Sequence, residues 1–428
     1  MENIKHMSEL SLPKRLLAYL VILVGYFFYC YNFVVIDYVR PFLVQYYGIT
    51  LGQTALFYTA QSIGALIGAL SCAWFAENFG RKKVLILITL LNGGATLVNL
   101  SSRSFETWMI MRFIIGISLG GYFTVAVTVM VGLFTAKVRA KVTAFASSLF
   151  SIALIIMGAY GALLGESNWE MLMVIGGLPP VIAAIAMIFL VPSEKKYIPF
   201  GSEKEGDNET KAEEKKKGSW KEMFSGKLAK ISITCILLSG LNFIGYQFFS
   251  GFVTVYLREV RNFDAKTMGI LFSAASSGSL VGAYVWGFVA DKFGRKVNAF
   301  GFILSSIMIG LYFVAPSNVT ILSICGFVYG IGLASSAIWG GYFTELFPRH
   351  LKTMGASLFH GGRIIALFAP SIVVAVRNAT SLQTAMWGAP ILFTIAAILW
   401  LTLPETLETG VLYKKEKEEI KRKGNDYV

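Results

Sequence analysis

Apolar residues run along the 428-residue chain in blocks of about 20, each long enough to cross the hydrocarbon core of a bilayer as a helix. Six blocks come first, near 16–39, 52–76, 84–100, 107–134, 142–165 and 171–191. Six more follow, near 231–257, 267–290, 297–315, 320–346, 354–376 and 384–403. They are unbroken rather than alternating in polarity, which argues against the strands of a transmembrane barrel. Pro41 is expected to end the first helix, since its ring removes an amide and crowds the preceding turn. Between the two sets of six, Glu, Lys, Gly and Ser dominate, with Lys215-Lys216-Lys217 at the centre. Such a stretch has too little apolar surface to order itself and reads as a linker.

The two sets are copies. Ala73-Trp-Phe-Ala-Glu77-Asn-Phe-Gly80-Arg81-Lys82 returns half a chain later as Gly287-Phe-Val-Ala-Asp291-Lys-Phe-Gly294-Arg295-Lys296. Upstream, Ser62, Gly64, Leu66 and Gly68 match Ser276, Gly278, Leu280 and Gly282. Each copy is a glycine-spaced apolar helix ending in an acid, a glycine turn and a basic cluster. A repeat of this kind predicts duplicated architecture. The expected fold is an all-α membrane protein with twelve transmembrane helices in two six-helix, pseudo-symmetric bundles. Residues 1–191 form the first bundle, 192–230 a cytoplasmic linker, 231–403 the second bundle and 404–428 a charged cytoplasmic tail.

Composition agrees: 55% of residues are hydrophobic, 15% are charged, and the mean hydropathy is +0.62. The net charge of +13 first suggests nucleic acid, but its placement does not. When the loops are assigned alternately to two sides, most of the 38 Lys and Arg fall on the side of the N-terminus. By the positive-inside rule that side is cytoplasmic, so both termini are expected inside a cell membrane and no nucleic-acid partner is expected. The first apolar block is too long for a signal-peptide core and is expected to be the first membrane helix. Cys30, Cys72, Cys235 and Cys325 all lie within apolar blocks and read as small buried hydrophobes, without metal or disulfide spacing. No phosphate-cradling Gly-Lys-Ser/Thr loop, nucleophile constellation or paired catalytic carboxylates occur, so neither an enzyme nor a cofactor or metal is expected.

Arg363 is the most informative charge. It falls mid-way along the eleventh block, where an unpaired guanidinium costs at least about 2.5–3.5 kcal/mol. No acid sits at comparable depth, and His360 lies three residues before it on the same helix face. One reading has Arg363 hold a substrate carboxylate by its bidentate fork; the other has it bind backbone carbonyls as structural glue. Asp37 and Arg40 are spaced to form a local ion pair, or else Asp37 is a coupling carboxylate. His360 and Asp37 are therefore the proton-coupling candidates. Arg112, nearer the outer end of the fourth block, is expected to snorkel.

The paired turns resemble the signature of major facilitator superfamily transporters. Arg112-Phe-Ile-Ile-Gly116 with Arg139, Glu345-Leu-Phe-Pro348 with Lys352, and Pro404-Glu405-Thr406 are similar to marks of the sugar-porter branch and its relatives. The stretch from Glu345 through Gly362-Arg363-Ile to Pro370 resembles aromatic-acid and other organic-acid symporters. There are departures. Gly132 stands where an acid is usual, Asn32 where sugar symporters carry a proton-bearing Asp, and the paired glutamines before Gly240-Leu-Asn242 are absent.

The resemblance implies that Glu77, Arg81 and Arg139 in one half, and Asp291, Arg295, Glu345 and Lys352 in the other, form a cytoplasmic latch that opens during transport. It also implies a cavity lined by helices one, four, seven and ten. Tyr29, Asn32, Tyr122, Asn242, Tyr246, Gln247 and Trp339 are then candidate substrate contacts beside Arg363. The expected function is secondary transport of a small organic anion, coupled to protons, by alternating access in a monomer. The alternatives are a sugar or polyol carrier and a membrane sensor that has lost transport.

Overall fold

A computed structural model describes residues 5–193, 197–198 and 219–407 of the chain. Most of the central linker and the tail beyond residue 407, including Lys215-Lys216-Lys217, lie outside the described residues. Among the described residues, twelve helices are long and apolar enough to span a membrane. They are α1 (Leu12–Tyr47), α2 (Leu51–Phe79), α3 (Arg81–Ser101), α4 (Phe105–Gly132), α5 (Ala136–Leu164) and α6 (Glu170–Leu190), then α7 (Gly226–Glu259), α8 (Ala265–Phe293), α9 (Arg295–Val314), α10 (Val319–Glu345), α11 (Met354–Ala379) and α12 (Leu382–Leu401). The only described strands are a two-residue parallel pairing of Lys5–His6 with Tyr197–Ile198.

The chain divides into two compact units. The first comprises residues 1–206 together with Thr254–Ser273; the second comprises 207–253 and 274–428. In both, many large apolar side chains point outward, as expected where lipid rather than water surrounds the helices: Leu163 and Phe189 are 80% exposed and Val314 is 71% exposed. Polar residues turn inward. Asn32, Asn92 and Arg112 in the first unit, and Asn298 and Ser335 in the second, are fully buried.

The repeated glycines explain why each unit has the same internal packing. A Cβ at Gly64 on α2 would strike the carbonyl of Phe113 on α4, and one at Gly278 on α8 would strike the carbonyl of Phe327 on α10. Backbones this close need residues without side chains. The turns after α2 and α8 also require glycine, because Gly80 and Gly294 take φ of +98° and +114°.

Three features differ notably from the sequence expectation. Helix α1 passes through Pro41 and ends at Gly48, whose φ is +65°. The carbonyl that Pro41 leaves without an amide, that of Asp37, instead accepts the hydroxyl of Thr254 at 2.7 Å, so the helix continues. Helix α7 starts at Gly226 rather than near 231, preceded by one helical turn at Trp220–Met223. Four helices of the second set are interrupted, and none of the first set is. Helix α7 breaks after Phe249, α10 is a 3-10 helix over Ala334–Ile338, α11 is irregular between Ile365 and Ala369, and α12 is stepped at Trp387. The break in α11 has a direct cause: Pro370 offers no amide to the carbonyl of Ala366.

Candidate substrate and proton site

In the first unit the charges gather where α1, α2 and α4 meet. Arg40 Nη2 lies 2.8 Å from Asp37 Oδ1 one turn earlier on α1, and both side chains are buried. Arg112 of α4 is also fully buried, not snorkelled, which corrects the sequence expectation. Its Nη1 donates to Gln61 Oε1 at 3.4 Å, and its guanidinium stands 5.7 Å from the Trp108 ring. Its Nε and Nη2 have no hydrogen-bond partner among the described residues. Gln61 is fixed in turn by donating to the Phe33 carbonyl at 3.1 Å. Gln61 was absent from the sequence candidates, because an amide on an apolar helix gives no signal until its neighbour across the interface is known.

Deeper along the same helices, the candidate contacts separate into two kinds. Tyr29 is half-buried and stacks on Tyr122 with ring centroids 5.4 Å apart. Tyr122 itself is enclosed, and its hydroxyl accepts from Thr89 at 3.1 Å. Asn32 is enclosed as well: its amide donates to the carbonyl of Gly176 on α6 at 2.8 Å and to Asn92 Oδ1 on α3. Asn32 and Tyr122 thus tie helices to one another. Polar groups inside an apolar bundle favour each other because lipid offers them no partner.

In the second unit Trp339 is likewise enclosed, packed edge-on to Phe302 and Trp400 and stacked on Phe343. Asn242 and Gln247 on α7 are nearly buried, and Asn242 Oδ1 and Gln247 Oε1 have no partner among the described residues. Tyr246 is half-buried. Arg363 is also half-buried, its guanidinium 5.4 Å from the centre of the Phe243 ring. His360 is exposed one turn earlier, beside Phe359. Both stand just before the break in α11, where a helix C-terminal end presents free carbonyls.

The repeated turns lie at the basic end of each unit, and they are unequal. In the second, Arg295 donates from Nη1 to Asp291 Oδ1 at 2.7 Å and grips Glu345 through Nη2 and Nε, at 2.9 and 3.1 Å. Glu405, buried at 4% exposure, accepts the backbone amides of Arg295 at 2.8 Å and Lys296 at 3.0 Å, and Thr406 adds its hydroxyl to Glu345. The Pro-Glu-Thr mark thus caps the turn, a role that sequence reasoning did not assign to Glu405. Lys352 is exposed and forms no ion pair among the described residues. In the first unit Glu77 is exposed and also unpaired there, Arg81 is half-buried, and Arg139 donates to the Phe134 carbonyl at 3.2 Å. Among the described residues no acid forms an ion pair with Arg139.

The family model of the Major Facilitator Superfamily matches the chain over residues 22–296 and again over 235–424. The chain belongs to the Major Facilitator Superfamily. It is a membrane transporter and not an enzyme. Among curated proteins it is 26% identical to the cis,cis-muconate transport protein of Acinetobacter baylyi, over 72% of this chain and 75% of that one. It is 24% identical to the sialic acid transporter of Escherichia coli, over 88% and 90%, and 23% identical to the 4-hydroxybenzoate transporter of Acinetobacter baylyi, over 77% and 78%. Among solved structures, a D-xylose–proton symporter aligns with a TM-score of 0.68 at 17% identity, covering 92% of this chain and 99% of its own. A bacterial homologue of the lysosomal transporter Spinster aligns at 0.72 and 15%, covering 91% and 97%. At these identities the solved structures establish the shared fold alone.

Proposed function

We propose that this superfamily member carries a small organic anion, a carboxylate, across the cell membrane together with protons, by alternating access, with both termini in the cytoplasm. The orientation rests on the basic residues that collect at the end bearing the repeated turns. The substrate class rests on the charge held inside the spans. Away from the helix ends these carry the guanidiniums of Arg40, Arg112 and Arg363 against the single carboxylate of Asp37. Surplus positive charge in a low-dielectric interior is stabilised by an anionic cargo. Arg363 is the best placed to take it. Its planar fork matches a carboxylate, it stands on an interrupted helix, and the rings of Phe243 and Phe359 give its surroundings apolar walls suited to an unsaturated or aromatic acid. The muconate, 4-hydroxybenzoate and sialic acid named for the relatives are all carboxylic acids.

We take Asp37 and His360 as the candidate proton carriers within the spans. Protonating Asp37 would remove the negative charge that faces Arg40 and Arg112, and His360 would act likewise beside Arg363. Either change alters how well the guanidiniums hold an anion, which is the coupling a symporter needs.

The test is uptake of labelled 4-hydroxybenzoate and of xylose into proteoliposomes under an imposed proton gradient. Gradient-dependent uptake of the acid is expected, abolished by Arg363→Gln and uncoupled from the gradient by Asp37→Asn. Xylose uptake that survives Arg363→Gln, with no acid uptake, would replace the anion by a sugar. Ligand binding without flux would make the protein a sensor.

A further inference from the structure

The turn at Gly80 lets α2 and α3 diverge and leaves a groove of about 250 Å³ between them, floored by Ile117 of α4. Cys72, Phe75 and Phe79 of α2 form one wall, and Leu87 of α3 stands in the other. Phe75, Phe79 and Leu87 are each about half exposed, so the groove opens away from the bundle, toward lipid. Its lining contains one charge, Lys83, at the basic end. The neighbouring Lys82 donates to the Ile188 carbonyl at 2.7 Å, but the Lys83 side chain is exposed and makes no ion pair among the described residues.

We propose that this groove binds an anionic phospholipid, one acyl chain lying along Phe75, Phe79 and Leu87 and the phosphate resting on Lys83. A nearly all-apolar trough favours a hydrocarbon chain over any soluble anion, which would find no polar wall to hold it. Phospholipid phosphates lie at the ends of spanning helices, the level at which Lys83 begins α3. Charge complementarity selects the headgroup: Arg81 and Lys82 directly precede Lys83, and they repel the ammonium that a zwitterionic lipid brings with it. The site is independent of which substrate the transporter carries.

The experiment is native mass spectrometry of the purified full chain in detergent, titrated with phosphatidylglycerol or phosphatidylcholine of identical acyl chains. Phosphatidylglycerol is expected to be retained about fivefold more, the worth of one basic residue at an anionic surface. Lys83→Gln should remove that preference, and Leu87→Trp, which fills the groove, should remove retention of both lipids. Both side chains are exposed, so melting temperatures should match the wild type and exclude misfolding. Equal retention of the two lipids by the wild type would overturn the proposal, as would retention untouched by Leu87→Trp. Competition by glycerol phosphate as strong as that by the whole lipid would show a free phosphate site and overturn it too.

Discussion

The hydroxyl of Thr254 donates to the backbone carbonyl of Asp37 at 2.7 Å, and that carbonyl is the one Pro41 leaves unpaired. A residue more than two hundred positions away therefore repairs a proline within α1. Replacing Thr254 with Val keeps the shape and leaves a buried carbonyl without a donor, which should cost about 1–3 kcal/mol. Pro41→Ala restores an amide that reaches the same carbonyl. In that background Thr254→Val should cost markedly less, giving a coupling of about 1 kcal/mol in a double-mutant cycle read from thermal unfolding. Simple additivity would mean that the hydroxyl does not serve this carbonyl.

At the end of the first unit opposite the repeated turns, Glu166 is gripped by Arg258, whose Nη2 lies 2.8 Å from Glu166 Oε2 and 2.9 Å from Gln45 Oε1. Hydrogen bonding to Arg258 holds the Glu166 carboxyl below its ordinary value, more than burial and the nearby Asp264 raise it. A depressed folded value means that the contribution is complete above the unfolded pKa of about 4.3 and is lost as pH falls through the folded one. Because the pair is partly exposed, its worth is about 1 kcal/mol or less. Glu166→Gln should therefore lower the melting temperature at pH 7 and make little difference near pH 3. A deficit that stayed constant across this range would show that the charge is not what matters.

Much of this fold was legible from residues alone, because the signals were local. The turns at Gly80 and Gly294 need positive φ and declared themselves twice, and apolar blocks of spanning length gave the twelve helices. What was hidden depended on partners distant in sequence. Pro41 reads as a helix end until Thr254 is known to supply its missing bond. Arg112 reads as a surface-seeking charge until Gln61 and Trp108 are seen to enclose it. Asn32, Tyr122 and Trp339 carry the chemistry of a binding wall, yet each is closed in by protein. Arg363 is legible as a charge within a span, but the break at Ala366–Phe368 that shapes its surroundings arises from Pro370 acting on the carbonyl four residues back.

The second repeated turn divides its work between two acids. Glu405 is buried and accepts four backbone amides, those of Arg295, Lys296, Thr406 and Leu407, at 2.8–3.1 Å. Asp291 is 77% exposed on its side chain and, among the described residues, bonds only to the guanidinium of Arg295. Glu405→Ala orphans those amides and should destabilise by about 2–3 kcal/mol, whereas Asp291→Asn should cost under about 0.5 kcal/mol. If the cluster is a latch, Asp291→Asn should nonetheless raise the rate at which a reporter cysteine at Tyr246 is labelled from the basic face. Unchanged labelling would reduce the cluster to a loop anchor.

Asn32 gives the sharpest separation between packing and binding. Its amide donates to Gly176 O at 2.8 Å and to Asn92, and none of its surface is exposed. Removing it with Asn32→Ala strips two acceptors of their donor, so a loss of about 1–3 kcal/mol is expected. Asn32→Asp should be no better at neutral pH. Asn92 can turn its amide to donate to a carboxylate, but the carbonyl of Gly176 has no such freedom and would face another acceptor. Neither change should alter the affinity of the folded protein for a carboxylate substrate, whereas Arg363→Lys, which keeps the charge but loses the fork, should weaken it by about tenfold. The two effects part cleanly in one experiment that measures melting temperature and ligand binding on the same samples. Weakened binding by Asn32→Ala at an unchanged melting temperature would return Asn32 to the substrate's surroundings.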